Sequence, residues 1–318
     1  MSDTRKLFKS LHDNMARAIV GKHRTLTFSL ITLICRGHLL IEDVPGLGKT
    51  MLARALTRSI DLDFRRIQCT PDLMPSDITG VSIFNQQEHR FDFVPGPVFC
   101  NVLLADEINR TSPRTQSSLL ECMAESQVTV EGVTRALPEV FMVIATQNPV
   151  EYHGTYPLPE AQLDRFFMRL SMGYPDRESE IRILQQQALG HPIDTLEPVI
   201  GIAELRQLQQ AVERVHIDDA VLGYIADLVR ASREHPDLEL GASPRGALAL
   251  MRAARAAALI DGLDYVTPDQ VVKVAVPVLA HRLILSQPAR MKKLREEDLV
   301  RALIEQVAPP VLNETQKL

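Results

Sequence analysis

Tryptophan is absent from this sequence, and aromatic residues of any kind make up only 5% of it. Basic residues are not in excess either: 35 Lys and Arg against 40 Asp and Glu leave a formal net charge of -5. Without a basic, aromatic-lined groove there is no electrostatic case for nucleic acid or an anionic membrane surface as the main partner. The four cysteines (Cys35, Cys69, Cys100, Cys122) are scattered and form no C-x-x-C pair. That argues against a zinc site or a disulfide framework and fits a reducing compartment, so a cytoplasmic location is expected. Long apolar runs are missing too. The longest, Leu26 to Ile41, is broken by Arg36 and His38. It is too short for a membrane span and reads as a buried helix followed by a buried strand. The polar, mixed-charge stretch Met1 to Ser10 does not read as a secretory signal. No internal repeat or low-complexity segment is seen.

What is present is an ordinary globular balance, 45% hydrophobic and 24% charged, in 318 residues, enough for two domains. Up to about residue 173, short β-like runs alternate with helical ones. The strand candidates are His38–Glu42, Phe64–Cys69, Val102–Asp106, Phe141–Thr146 and Phe166–Met172. Several are continuously apolar, as strands of a parallel sheet covered on both faces should be. The alternation predicts a doubly wound α/β core. Beyond Tyr174-Pro175 the pattern becomes helical: Asp176–Leu189, Ile202–His216, Ala220–His235, Pro244–Ile260, Pro268–Leu285 and Glu296–Val307. Ser243-Pro244 and Thr267-Pro268 each set an N-cap residue before a proline at the first helical position. Pro277 is expected to kink or divide its helix. The Gly/Pro punctuation at Gly173 to Asp176 predicts two domains, an α/β core over 1–174 and an all-helical domain over 175–318. Two hairpins are read as inserts, near 81–94 and 128–134, either as caps on the sheet or as partner-contacting loops.

The sharpest chemical signal is Pro45-Gly46-Leu47-Gly48-Lys49-Thr50, set between the apolar run His38–Ile41 and a helix-like stretch from Met51. Strand, glycine loop, Lys-Thr and helix together make the layout of a phosphate-binding loop. Backbone N–H groups converge on phosphate there, and the helix N-terminus adds positive partial charge. Lys49 would reach the β- and γ-phosphates and the Thr50 hydroxyl would help hold Mg²⁺. One departure stands out: the pattern G-x-x-x-x-G-K-[ST] places its first glycine at Asp43. Downstream, Val102–Ala105 ends in Asp106-Glu107. Beside such a loop the first acid serves Mg²⁺ and its water shell, and the second polarises the attacking water. Phe141–Gln147 ends in Asn148, either a hydrogen-bonding amide at the γ-phosphate or a turn residue before Pro149. Arg165 precedes an apolar strand. It is either an arginine that reaches a neighbour's γ-phosphate or a member of a surface pair with Asp164 or Glu160. Arg245, in the first turn of a helix, is unfavourable for the helix dipole, which a bound anion would explain.

In this order the motifs resemble those of the MoxR family of AAA+ ATPases, over nearly the whole chain. Leu40–Thr50 resembles the family's Walker A, Asp106–Arg110 with Pro113–Gln116 its Walker B and following helix, and Ala145–Pro149 its sensor 1 strand. Tyr156–Phe166 is similar to the arginine-finger segment and Ser243-Pro244-Arg245 to sensor 2. The resemblance implies an AAA+ P-loop core with a C-terminal all-α lid over the nucleotide. It implies a nucleotide site of Val20, Gly21, Pro45, Gly46, Leu47, Gly48, Lys49, Thr50, Met51 and Asp106, with ATP and Mg²⁺ as cofactors. Mg²⁺ would be held by Thr50 and Asp106, largely through water. Glu107, Asn148, Arg165 (in trans) and Arg245 would serve hydrolysis. The segment 81–94 would be the helix-2 insert. A hexameric ring is implied, with a von Willebrand factor A domain protein as partner. Its output would be chaperone-like remodelling, maturation or metal insertion. The competing expectations are a nucleotide-dependent scaffold with little turnover and a magnesium-chelatase-like motor subunit.

Overall fold

A computed structural model describes residues 2–149, 155–188, 190 and 192–310. Two helices, α1 (Ser2–Ala18) and α2 (His23–Ile34), precede the first strand, β1 (Leu39–Glu42). Next come α3 (Lys49–Arg58), β2 (Phe64–Gln68), α4 (Pro75–Thr79) and the hairpin of β3 (Gly80–Asn85) with β4 (Arg90–Pro95). Then follow β5 (Val102–Asp106), α5 (Pro113–Glu125), a second hairpin of β6 (Gln127–Val130) with β7 (Val133–Ala136), and β8 (Met142–Gln147). A short helix, α6 (Glu160–Leu163), leads into β9 (Met168–Leu170).

The five strands β2-β5-β8-β1-β9 form one sheet, in that order, and every pairing is parallel. The composition of each strand follows its place. Central β1, β5 and β8 are buried on both faces and so are continuously apolar. Edge strand β2 carries the exposed Arg65, Arg66 and Gln68, which discourage edge pairing. One face packs Leu39, Ile41 and Ile144 against α1, α2 and α3. The other packs Leu40, Leu103 and Val143 against Leu119, Leu120 and Phe166.

After Ser171 the chain is helical: α7 (Arg177–Ala188), α8 (Ile202–Arg214), α9 (Asp219–Glu234), α10 (Pro244–Asp261), α11 (Pro268–Leu279), α12 (Gln287–Met291) and α13 (Glu296–Gln306). The expected end of α7 at Leu189 lies outside the described residues. The expectation of an all-helical domain needs one correction. Leu238–Leu240 (β10) pairs antiparallel with Ile284–Leu285 (β11). A ladder of two or three residues is too short to show a period in sequence. Pro277 does divide its segment: α11 stops at Leu279 and a 3₁₀ turn, Ala280–Arg282, follows. Ser243 caps α10, its side chain accepting from the Gly246 N–H.

The helical region shares its core with the α1/α2 layer. Leu11, Leu30 and Ile31 belong to the same apolar cluster as Leu205, Ala253 and Val274. Helices α8 and α10 lie on α1 and α2, while α11 lies on β9. The helical region expected after the sheet is present, packed on α1, α2 and β9.

Candidate functional site

In a parallel sheet all strands end on one edge, and the residues just past those ends gather there. Here β1 runs into the glycine loop, β5 ends at Asp106 and β8 ends at Gln147, next to Asn148. The backbone of the loop is left-handed at Gly46 (φ 85°) and Gly48 (φ 90°), conformations that favour glycine. A side chain built on Gly46 would meet nothing, so the loop stands open. Gly48 is also the N-cap residue of α3, whose first N–H groups face the loop.

Lys49 is buried, and its Nζ donates to the Asp43 carbonyl at 2.6 Å. Burial pushes this ammonium below its ordinary pKa, while Asp43, Asp106 and Glu107 pull it back up. A buried ammonium has three donors, and the carbonyl takes one. An open loop of N–H groups around such a cation suits a polyphosphate.

Asp106 is held by two neighbours. The Thr146 hydroxyl donates to its Oδ1 at 2.6 Å, and Arg66 pairs with its Oδ2 at 2.7 Å. Glu107 takes a left-handed backbone (φ 59°), uncommon for a residue with a side chain, and its N–H donates to Thr146 Oγ1 at 2.9 Å. Its carboxylate accepts from Gln68 Nε2 at 2.9 Å and lies 3.2 Å from Arg110 Nε. Asn148 is buried at the same edge. Thr146, Arg66, Gln68 and Arg110 were not singled out in the sequence. Their only signal is position: Arg66 and Gln68 on β2, Thr146 on β8 and Arg110 in the 3₁₀ turn after β5 all lie beside Asp106 and Glu107. Among the described residues no cluster of three or more His, Cys, Asp or Glu could hold a metal. A hard cation on the oxygens of Thr50 and Asp106 suits Mg²⁺, which keeps few protein ligands and fills its shell with phosphate and water.

Asp43 explains itself in the structure. Its Oδ2 accepts from Ser171 Oγ at 3.0 Å, Met172 N at 2.6 Å and Gly173 N at 2.7 Å. The residue standing where the loop pattern has glycine thus fastens the loop to the crossing into the helical region. Val20 is buried and Gly21 has φ 73°. A Cβ on Gly21 would sit 2.3 Å from Ser179 Oγ, so this segment abuts the start of α7. Met51 packs partly into the main core.

Arg165 and Arg245 lie elsewhere. Arg165 precedes β9, at the level where Phe167 N donates to the His38 carbonyl, before β1 begins. Its Nη1 donates to the Leu120 carbonyl at 2.5 Å. The four residues of β1 put roughly 13 Å of strand between that level and the loop. Arg245 follows Ser243, whose hydroxyl donates to Asp164 Oδ2 at 3.0 Å, so it too stands at the strand-start edge. The surface-pair alternative for Arg165 with Asp164 is not what the structure shows, because the Asp164 carboxylate is taken by Arg282 at 2.8 Å. A separate cavity of about 220 Å³ lies between α2, β9, α11 and α13. Its Arg169 is neutralised by Glu42 at 3.1 Å and Glu297 at 2.7 Å.

Residues 38–168 match the model of the ATPase family associated with various cellular activities (AAA), and residues 230–303 match an AAA lid domain. The chain is 50% identical over 309 residues to the uncharacterized protein YeaC of Bacillus subtilis, covering 97% of both chains. It is 39% identical to Chaperone MoxR1 of Mycobacterium tuberculosis, over 93% of this chain and 81% of that one. It is 31% identical to Protein MoxR of Methylorubrum extorquens, over 98% and 97%. A solved structure of a candidate ATPase from Cytophaga hutchinsonii superposes with a TM-score of 0.91 at 38% identity, covering 98% of this chain and 97% of that one.

Proposed function

The chain belongs to the MoxR family of AAA+ ATPases, and from that premise we propose that it hydrolyses ATP at a site completed by a second copy of itself. One observation carries the reading: the loop with Lys49, Asp106 and Glu107 lies on one edge of the sheet, and Arg165 and Arg245 lie on the other. A head-to-tail neighbour would bring the second edge onto the first, and repetition of that contact closes a ring. A hexamer is the size this family implies.

In that site Lys49 and the N–H groups from Gly46 to Thr50 hold the phosphates. Val20, Gly21 and Met51 border the rest of the nucleotide. Glu107 accepts a proton from the attacking water, and Gln68 and Arg110 fix the carboxylate's direction. Asn148 orients that water or the γ-phosphate. Thr146 aligns both acids, donating to Asp106 and accepting from the Glu107 N–H. Thr50 and Asp106 would hold Mg²⁺, largely through water, and the ion would supply neutralisation of charge on the phosphates. The neighbour's Arg165 and Arg245 stabilise the charge of the transition state, a term worth about 10³–10⁵ in rate for a trans arginine.

The output is movement of the helical region against the core, used for chaperone-like remodelling or maturation of client proteins, including metal insertion. Family resemblance supports a partner with a von Willebrand factor A domain and a cytoplasmic setting. The test is ATP hydrolysis against protein concentration for wild type and Arg165→Ala. Specific activity should rise with concentration and fall at least about 10³-fold in the variant. Flat activity indifferent to Arg165 would overturn the shared site. Absence of turnover at every concentration would favour the nucleotide-dependent scaffold.

A further inference from the structure

Asp164 sits between the two features that mark the strand-start edge, and it touches both. It is the residue before Arg165. Its Oδ2 accepts from Ser243, the N-cap residue of the helix whose second residue is Arg245. Its Oδ1 accepts from Arg282 Nε at 2.8 Å. Arg282 comes from the 3₁₀ turn that follows the divided helix α11, and its side chain is only 3% exposed. Its other donors go to backbone carbonyls, two of them in the same segment: Nη2 to Phe166 O at 2.7 Å and Nη1 to Phe167 O at 3.4 Å, with Nη1 also donating to Val278 O of α11.

A buried guanidinium is costly unless every donor is met, so this arrangement tolerates little displacement. The segment 164–167 is therefore clamped from two elements of the helical region, α10 and the turn after α11. Among the described residues the Arg165 side chain makes one hydrogen bond, to Leu120, which leaves most of its guanidinium donors uncommitted. Arg245 is exposed and, among the described residues, has no recorded side-chain partner.

We propose that Asp164 and Arg282 are positioning residues. They lock Arg165 and Arg245 into one unit, so that the helical region of one chain sets the arginine pair offered to its neighbour's nucleotide. The proposal rests on the shared-site reading above. It gives hydrolysis in one chain a route to the next. A shift of α10 against the sheet moves Ser243, and with it the Asp164–Arg165 backbone, rather than the chain's own phosphate loop.

The experiment is subunit mixing. Glu107→Gln removes the water-polarising carboxylate but keeps the arginine edge. Arg165→Ala removes the edge but keeps the loop. If sites are shared, mixing these two inactive proteins restores turnover. Asp164→Asn should behave like Arg165→Ala. Alone it should lose about 10–100-fold in turnover, the cost of misplacing a group without removing it, with ATP affinity within about twofold of wild type. Mixed with Glu107→Gln it should recover, and mixed with Arg165→Ala it should not. Recovery of Arg165→Ala but not of Asp164→Asn would overturn the proposal and leave the shared site standing. Recovery of neither would overturn both. Ser243→Ala, which removes the hydrogen bond to Asp164 together with the α10 cap to Gly246 N–H and leaves the ion pair, guards against misfolding of the charge variant. It should show the same mixing pattern with a smaller loss, and wild-type turnover in Ser243→Ala would also overturn the proposal.

Discussion

His38 shows what a single side chain does at the start of the first strand. Its ring is buried between α5 and β8: Nδ1 accepts from Val143 N at 3.0 Å, which leaves Nε2 to donate to the Met123 carbonyl at 3.0 Å. The acceptor role of Nδ1 needs the neutral ring, and burial pushes its pKa down to about 4 although the bond to Met123 O pulls it back up. The unfolded ring takes a proton near 6.5, so between 6.5 and 4 the unfolded state binds more protons. The stability tied to this ring is complete above about pH 6.5. It falls as pH drops and is lost once the folded ring itself is protonated, near 4. The difference amounts to about 3 kcal/mol. Comparing urea midpoints at pH 7 and pH 5, wild type should lose more stability than His38→Gln, whose amide can make both hydrogen bonds uncharged. Equal losses would refute the assignment. The candidate site residues were readable because motif spacing names them, and the structure brings Lys49, Thr50, Asp106 and Glu107 to one edge. Their supporting neighbours were not. Arg66 reaches Asp106 across 40 residues and Gln68 reaches Glu107 across 39, contacts made by strand pairing that no local pattern records.

At the level of elements, the first hairpin is fastened by two glycines. Gly80 has φ 96°, and a Cβ there would lie 2.4 Å from the Val94 carbonyl oxygen. One on Gly96 would lie 2.2 Å from the Ile78 carbonyl oxygen. The strand carriers Val81, Ile83, Phe84, Phe91 and Val94 are exposed, and beside the glycines the hairpin is held by Phe93, whose ring packs on Phe99 and under Arg135. Gly80→Ala combines a left-handed backbone with a backbone clash and should cost about 2–4 kcal/mol. Hydrogen exchange should quicken first over residues 81–94. Uniform loss of protection across the sheet would show that the hairpin is not a separate unit. The five sheet strands and most longer helices of the second half were legible to within a few residues, because apolar runs and caps are local signals; the helix expected over Pro268–Leu285 instead ends at Leu279, and Leu285 lies in β11. Helices α4, α6 and α12 and the β10–β11 pair were not. Each spans only two to five residues and is set by what it packs on.

For the molecule as a whole, the loop edge should respond to nucleotide without any neighbour. A ligand that binds only the folded state raises stability by about 2.7 kcal/mol at a hundredfold excess over Kd. Mg-ATP should therefore raise the melting temperature of dilute protein by several degrees. Chelating the metal should shrink the shift and Lys49→Ala should remove it, while Arg165→Ala should leave it intact. A shift that needs Arg165 would mean that binding, and not only hydrolysis, is shared between chains. The sequence named residues for both edges, but not that the edges are opposite. Only the parallel direction of β1 and β9 separates Arg165 from Lys49, and that direction is a property of the assembled sheet.

Asp43 is a small rocker at the pivot of this molecule. Its peptide end faces the Lys49 ammonium, and its carboxylate end holds Ser171, Met172 and Gly173, where sheet gives way to helices. Whatever draws the lysine outward also tugs on the fulcrum of the crossing, with no moving loop in between. A glycine here would fill the phosphate pattern and leave the beam with only one arm.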